Sequence, residues 1–417
     1  MLFALWDWGR ANAAFFIPAS ICLSSVNSFE SLEFMKSSLT VGILAKGDPS
    51  DVRTWSGVPH FMVRALEQRF ERVVYLPALP PQLSLTQRLS NRMRRCLFGR
   101  LPRRWRDRAS LERSIAPIYR LLEEQRVDVI LAVTVDQLVA YLKTDVPIVL
   151  HSDTTFALLE DYYEGCTGLS ARERRDGHEV TRLALSRCTA ATYPSQWAAK
   201  SAVDDYGLPL ASVHTIPYGA NLESVPTRRE IEARDTSGPM RLLFVGAAWE
   251  RKGGPLVTAT FEELRSRGID TELVVVGADP QMSCAGLTSI PFLNKQVPDD
   301  LATYRRLWLS SSFLFMPTRQ ETFGAVYCEA AANGLPSVAT LTGGVNSAID
   351  NGVSGLLLPL DAGPVEYADA LENAWTRKDS YAQLVEGART RFEQALNWDA
   401  WASQTAAVLQ SAALVDA

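Results

Sequence analysis

From Leu39 almost to the C-terminus, short apolar runs alternate with amphipathic stretches, and this alternation restricts the chain to an α/β architecture. Strands are predicted at Leu39–Ala45, Arg72–Leu76, Val127–Val133, Val146–Leu150, Ala190–Tyr193 and Val213–Pro217. Helices are predicted from Pro59 to about Phe70 and at Ser110–Gln125, Ser170–Ser186 and Ser195–Tyr206, the last capped by Ser195. Residues 223–239 interrupt the pattern. They are charged and carry Pro226, Gly238 and Pro239, the composition of a linker. A second series then begins, with strands at Arg241–Val245, Glu272–Val276, Phe313–Met316, Ser337–Ala339 and Gly355–Leu358. Its helices are predicted near Pro255–Arg267 and at Pro298–Leu309, Pro364–Thr376 and Ser380–Gln394. Near-continuous apolar strands separated by helices indicate parallel sheets covered on both faces. Two doubly wound, Rossmann-like units are expected, 39–222 and 240–395, facing each other across a cleft. Ligands in such sheets bind outside the C-terminal ends of the strands. Residues 396–417 are read as a final helix, from about Asp399, that packs back on the first unit.

Composition narrows the function. The chain has 417 residues, 47% hydrophobic and 21% charged, with a net charge of −5, which argues against a nucleic-acid partner. Six cysteines are scattered without a CxxC, and none of the four histidines is paired at i+4, so no metal site is expected. Residues 1–38 are mildly apolar, with Trp6, Trp8 and Phe15 but also Asp7 and Arg10. They have a weak likeness to a signal peptide. They are read instead as an unstructured upstream extension, with Met35 as the natural start just ahead of the first strand. Arg88, Arg92, Arg94, Arg95, Arg100, Arg103, Arg104, Arg106 and Arg108 are interleaved with Leu97, Phe98, Leu101 and Trp105. This segment is either a solvated excursion or a surface for anionic lipid or an anionic acceptor. No apolar run is long enough to span a bilayer; the scattered cysteines read as reduced core thiols of a cytoplasmic chain, with peripheral contact at the inner membrane face through Arg88–Arg108.

The chemistry concentrates at Pro317–Val338. An apolar strand is followed by a loop with Glu321, then helix formers with Glu329 eight residues on, then Asn333-Gly334-Leu335-Pro336 as a stop signal. The helix N-terminus offers free N–H groups and a positive dipole end to an anion, usually phosphate. A second loop, Gly246 to Gly254, places Arg251 and Lys252 before two glycines and a helix. Such a loop lets a diphosphate approach the backbone while the cations neutralise it. It is neither a Walker loop nor GxGxxG, which disfavours a dehydrogenase.

The run from Glu321 through Thr322-Phe323-Gly324-Ala325 to Glu329 resembles the paired-glutamate motif of retaining glycosyltransferases of family 4, which have the GT-B fold. The Arg251–Gly254 loop, Gly343-Gly344 and Pro217–Leu222 match that family's order and spacing. The resemblance implies that Glu329 holds the ribose hydroxyls of a nucleoside-diphosphate sugar. It implies that Glu321 meets a sugar hydroxyl, with the backbone of Thr322, Phe323, Gly324 and Ala325 nearby. Arg251 and Lys252 would bind the diphosphate, and Leu293, Asn294 and Lys295 would lie near the base. Gly57 would close against the phosphates. By the same resemblance the anomeric configuration is kept, and neither a metal nor another cofactor is needed beyond the nucleotide-sugar co-substrate. The acceptor is a glycan, a lipid-linked sugar or a small molecule.

Two positions depart from the family. Ala247 stands where the family usually has Arg, and Arg251 would supply that charge. In Pro147–Thr155, Asp153 rather than His151 falls on a usual histidine position. Both are candidate catalytic residues facing the acceptor, since residues two apart share a side if the strand continues. A nucleotide-sugar epimerase of the same two-domain plan, or a non-enzymatic nucleotide-sugar-binding protein, would fit the same residues.

Overall fold

A computed structural model describes residues 36–46, 57–78, Leu89, Met93 and 108–415. The expectations for residues 1–35 and for most of the arginine-rich segment therefore lie outside the described residues. Two six-stranded sheets carry the architecture, and each pairing between named strands is parallel. The first sheet contains β1 (Ser37–Lys46), β2 (Phe70–Ala78), β3 (Val129–Val133), β4 (Ile148–His151), β5 (Ala190–Tyr193) and β6 (Val213–Thr215), in the order β2-β1-β3-β4-β5-β6. Ser37 and Ser38, expected in the extension, belong to β1, and Ser37 pairs with Phe70.

The second sheet contains β7 (Met240–Val245), β8 (Thr271–Val276), β9 (Leu287–Ile290), β10 (Phe313–Met316), β11 (Ser337–Thr340) and β12 (Gly355–Leu358). Its order is β12-β11-β10-β7-β8-β9, the 3-2-1-4-5-6 arrangement of dinucleotide-binding folds, in which the strand order reverses between β7 and β10. Strand β9 was not predicted. Its two apolar residues flank Thr288 and Ser289 at the sheet edge, so it lacks the continuous apolar run of the central strands.

The central strands are apolar because both their faces are covered. Phe313–Met316 is wholly buried, as is Val129–Val133. The predicted linker holds a short helix, Arg228–Glu232, with a capping box between Thr227 and Glu230. Arg228 ties that helix to Glu386 and Glu393, and Arg389 donates to the Pro226 carbonyl. Its high charge therefore reflects ion pairs with the helix Lys378–Gln394, not solvation alone.

The C-terminal helix Trp398–Val415 lies against the first sheet. Asp399 pairs with Arg69, Trp398 stacks on Phe61 at 6.1 Å, and Trp401 meets His151 edge-on at 6.0 Å. The Ala220 N–H donates to the Leu396 carbonyl at 3.1 Å. These contacts join the end of the chain to the close of the first unit.

Candidate functional site

The site forms at the reversal between β7 and β10. The loop after β7 carries Arg251 and Lys252, and the loop after β10 carries Glu321. They are stitched together by backbone and side chain alike. The Arg319 N–H donates to the Arg251 carbonyl at 2.8 Å, and the Arg251 guanidinium donates to the Gln320 carbonyl at 2.7 Å. Gly253 permits this approach, since a Cβ there would stand 2.0 Å from the Pro317 carbonyl oxygen. The glycine expected to admit a phosphate thus also admits the neighbouring strand's loop.

Lys252 forms an ion pair with the Glu321 carboxylate, and Arg251 Nη1 stands 3.8 Å from the same oxygen. Two cations against one carboxylate leave a net positive charge beside the N-terminus of helix Ala325–Ala332, whose first-turn N–H groups have no partner inside the helix. Gly324 is its N-cap and Ala325 its first residue. Glu329 sits on its second turn and is nearly sealed from solvent. Lys295 Nζ lies 2.9 Å from one of its oxygens, and the Tyr304 hydroxyl donates to the other.

The segment around Lys295 bends over this pair. Lys295 also donates to the Asn221 carbonyl at 3.4 Å and lies 4.5 Å from the centre of the Tyr304 ring. Asn294 is occupied by its own turn: its N–H donates to Asp300 and its side-chain oxygen accepts from the Gln296 N–H. Leu293 is half-buried and packs against the main hydrophobic core. Phe323 turns inward, with its ring edge-on to Tyr218 at 5.2 Å, so only its backbone is available to the cleft.

The first unit contributes Asp153. The Thr322 hydroxyl donates to its carboxylate at 3.1 Å, which links the ends of β4 and β10. Burial, countered in part by that hydrogen bond, pushes the Asp153 carboxyl up to about 6.

His151 is a correction to the sequence reading. Strand β4 ends at His151, so the two-residue period is not carried on by the strand to Asp153, and a shared side does not follow from it. His151 is fully buried, with Nδ1 2.8 Å from Thr192 Oγ1 and Nε2 3.1 Å from the Tyr218 hydroxyl. Burial holds its imidazole down to about 3, hence neutral. Gly57 lies at the N-terminus of helix Val58–Glu67 in the left-handed region (φ 86°), and the preceding loop, 47–56, is outside the described residues. Ala247, in the family's usual arginine position, leaves Arg251 as the loop's guanidinium near Glu321.

Four further residues reach the site without having been predicted. Tyr304 meets Glu329, while Tyr162, Tyr163 and Thr342 meet the Glu321 and Arg251 loops. The Tyr162-Tyr163 doublet is the one visible signal among them, two aromatics in an acidic loop with no strand or helix period. No group of three or more His, Cys, Asp or Glu residues placed to hold a metal ion occurs among the described residues. Nor is any described helix long and apolar enough to cross a membrane.

A two-sheet α/β chain whose anion-seeking loops meet at a strand-order reversal belongs to the wide class of nucleotide-ligand folds. Comparison with known proteins is more specific. Residues 60–224 match the profile "Glycosyltransferase Family 4" and residues 239–377 match "Glycosyl transferases group 1". The chain belongs to the group 1, family 4 glycosyltransferases and has their GT-B fold. It is 29% identical over 228 residues to a D-inositol 3-phosphate glycosyltransferase of Paenarthrobacter aurescens, which covers 50% of this chain and 54% of that protein. The chain thus spans about half the length of the curated relatives it matches. Sucrose-phosphate synthase from Thermosynechococcus elongatus superposes with a TM-score of 0.64 at 15% identity, covering 89% of this chain and 98% of that one. Anabaena Alr3699/HepE, in complex with UDP-glucose, superposes at 0.58 with 14% identity, covering 89% and 100%. At such identities these two show the fold alone.

Proposed function

We propose that the chain is a glycosyltransferase that moves a sugar from a nucleoside-diphosphate sugar to an acceptor, with retention of configuration and without a metal. One observation carries this reading. Glu321 and Glu329, each paired with a lysine, flank the N-terminus of helix Ala325–Ala332 at the strand-order reversal. That arrangement separates the tasks. The helix end with Arg251 and Lys252 takes the diphosphate and stabilises its charge as the bond to the sugar breaks. Glu329 takes the ribose hydroxyls, and Glu321 takes a sugar hydroxyl once Lys252 turns to phosphate. Each charged hydrogen bond to phosphate contributes ~1.5–3 kcal/mol. Asp153 approaches from the other unit, on the side assigned to the acceptor.

The acceptor is read as a glycan, a lipid-linked sugar or a small molecule. A peripheral location at the inner membrane face, through Arg88–Arg108, belongs to the same proposal. Liposome flotation with and without anionic lipid tests it, and no binding in either case removes it. For the reaction, a panel of UDP-glucose, ADP-glucose and GDP-mannose is assayed for binding and slow donor hydrolysis. The Anabaena complex makes UDP-glucose the first choice. Binding of one donor with release of its nucleotide is the expected result, and failure of the whole panel to bind counts against the reading.

A further inference from the structure

A turn of the first unit crosses the cleft and touches both halves of the donor site. The Tyr162 hydroxyl accepts the Glu321 N–H at 2.9 Å and lies 3.0 Å from Thr342 Oγ1. It also stands 3.4 Å from the Glu321 carbonyl oxygen. The next residue, Tyr163, places its ring 5.6 Å from the guanidinium carbon of Arg251. Consecutive side chains thus meet the carboxylate loop and the cationic loop.

The turn is built to hold them there. Asp161 adopts φ 57°, a left-handed conformation that residues other than glycine seldom occupy. The neighbours fix it: the Asp161 carboxylate accepts from Arg174 at 3.0 Å, and Glu160 pairs with Arg174 and lies 3.0 Å from His178 Nε2. His178 Nδ1 in turn lies 3.0 Å from the Tyr206 hydroxyl, which accepts the Ala157 N–H. The Tyr162 ring is flanked by Tyr163 and Trp197, at 5.1 and 5.4 Å between centroids. The second unit leaves room for it. A Cβ on Gly343 would stand 2.7 Å from the Tyr162 hydroxyl and 2.1 Å from the Glu321 carbonyl oxygen.

We infer that Tyr162 and Tyr163 are positioning residues of the donor site, through which closure of the first unit sets the Glu321 and Arg251 loops for sugar transfer. This rests on the nucleotide-sugar reading above. Tyr162 acts on the backbone of the residue assigned to the sugar, so its loss slows turnover more than it weakens donor binding. Tyr163 acts on the cation assigned to the diphosphate, so its loss weakens donor binding more.

Tyr162→Phe keeps the ring and removes the hydroxyl. Hydrogen exchange of the ligand-free chain is followed by mass spectrometry over Gln320–Val326. Exchange there is expected to quicken by about tenfold, the effect of one lost hydrogen bond. Unchanged exchange overturns the inference. In donor hydrolysis, with whichever of UDP-glucose, ADP-glucose and GDP-mannose the wild type turns over, kcat is expected to fall about tenfold with KM within about twofold. Tyr163→Leu is expected to raise KM by about fivefold through loss of the cation–π contact, with kcat nearly unchanged. A lowered melting temperature with wild-type kinetics in both variants marks a packing role and overturns the inference. A wild-type chain that turns over no donor overturns the nucleotide-sugar reading instead, and the exchange result then decides the role of Tyr162 by itself.

Discussion

The ends of β4 and β10 meet in one cleft, and each carries a carboxylate, yet the two are handled in opposite ways. At the end of β10, Glu321 is matched by Lys252 and Arg251, and Glu329 farther on by Lys295, all from the same unit. Charge and counter-charge arrive together within the second unit. At the end of β4, Asp153 pairs with no cation among the described residues and relies on the Thr322 hydroxyl. Burial, only partly countered by that hydrogen bond, raises its carboxyl to about 6, while His151, two residues earlier, is sealed away and falls to about 3. One unit brings compensated charge. The other brings a single group whose charge depends on pH and on contact with its partner.

The largest expected effect concerns how closely the loops after β5, β10 and β11 meet beside these two ends. A Cβ on Gly344 would stand 1.9 Å from the Thr322 carbonyl oxygen and 2.6 Å from Ser195 Cβ. Backbone cannot give way cheaply, so Gly344→Ala should cost over ~3 kcal/mol. Urea unfolding measures it, and a near-wild-type midpoint would mean that Gly344 is not held so closely between Thr322 and Ser195. His151→Ala should come next, losing about 3 kcal/mol as a buried ring and two hydrogen bonds disappear. Turnover per folded molecule should stay within about threefold. If His151→Ala lowers turnover more than Asp153→Ala, the division between the two residues is reversed and the assignment of Asp153 to the acceptor fails.

On the proposed reading, Glu321→Gln should lower turnover per folded molecule by about a hundredfold, because the carboxylate assigned to the sugar is lost. Full retention of turnover would remove Glu321 from the reaction, whereas donor binding without turnover in the wild type, and cellular function that survives Glu321→Gln, would favour the non-enzymatic nucleotide-sugar-binding protein.

The smallest effect separates the two ends by pH. Burial raises the Asp153 carboxyl from about 4 to about 6. Between those values the folded chain holds a proton that the unfolded chain has released. Stability therefore falls as pH climbs from about 4 to about 6, and the loss persists above. For His151 the shift runs downward from 6.5 to about 3, so the unfolded chain binds the proton first, and stability is lost as pH falls through that window. The two slopes oppose one another. Asp153→Asn should thus be more stable than wild type by about 2 kcal/mol at pH 7, with the gain vanishing near pH 4. Paired thermal melts across that range measure the difference, and a gain independent of pH would remove the titration argument.

Legibility followed locality. Phe313–Met316, Ala190–Tyr193 and Gly355–Leu358 were readable to the residue, because continuous apolar runs bounded by turn residues have one stable use in a parallel sheet. The linker helix Arg228–Glu232 and the edge strand β9 were not, since one depends on ion pairs with a distant helix and the other on a neighbour's hydrogen bonds. At the site, Glu321 and Glu329 stood out through their spacing around a helix start. Tyr162 did not, because its partner lies 159 positions away.

The sequence by itself determined the alternation of strands and helices, the break near 223–239, and the presence of two carboxylates around one helix N-terminus. All of these rest on spacing within a turn or a strand. Tertiary structure alone decided which lysine faces which glutamate, with Lys252 and Glu321 separated by 69 positions and Lys295 and Glu329 by 34. It also buried His151 while leaving Asp153 at the cleft, and it brought Tyr162 across to Glu321. A pairing between distant residues leaves no periodic mark in the chain. It exists only once the sheets are ordered and their C-terminal ends are brought together.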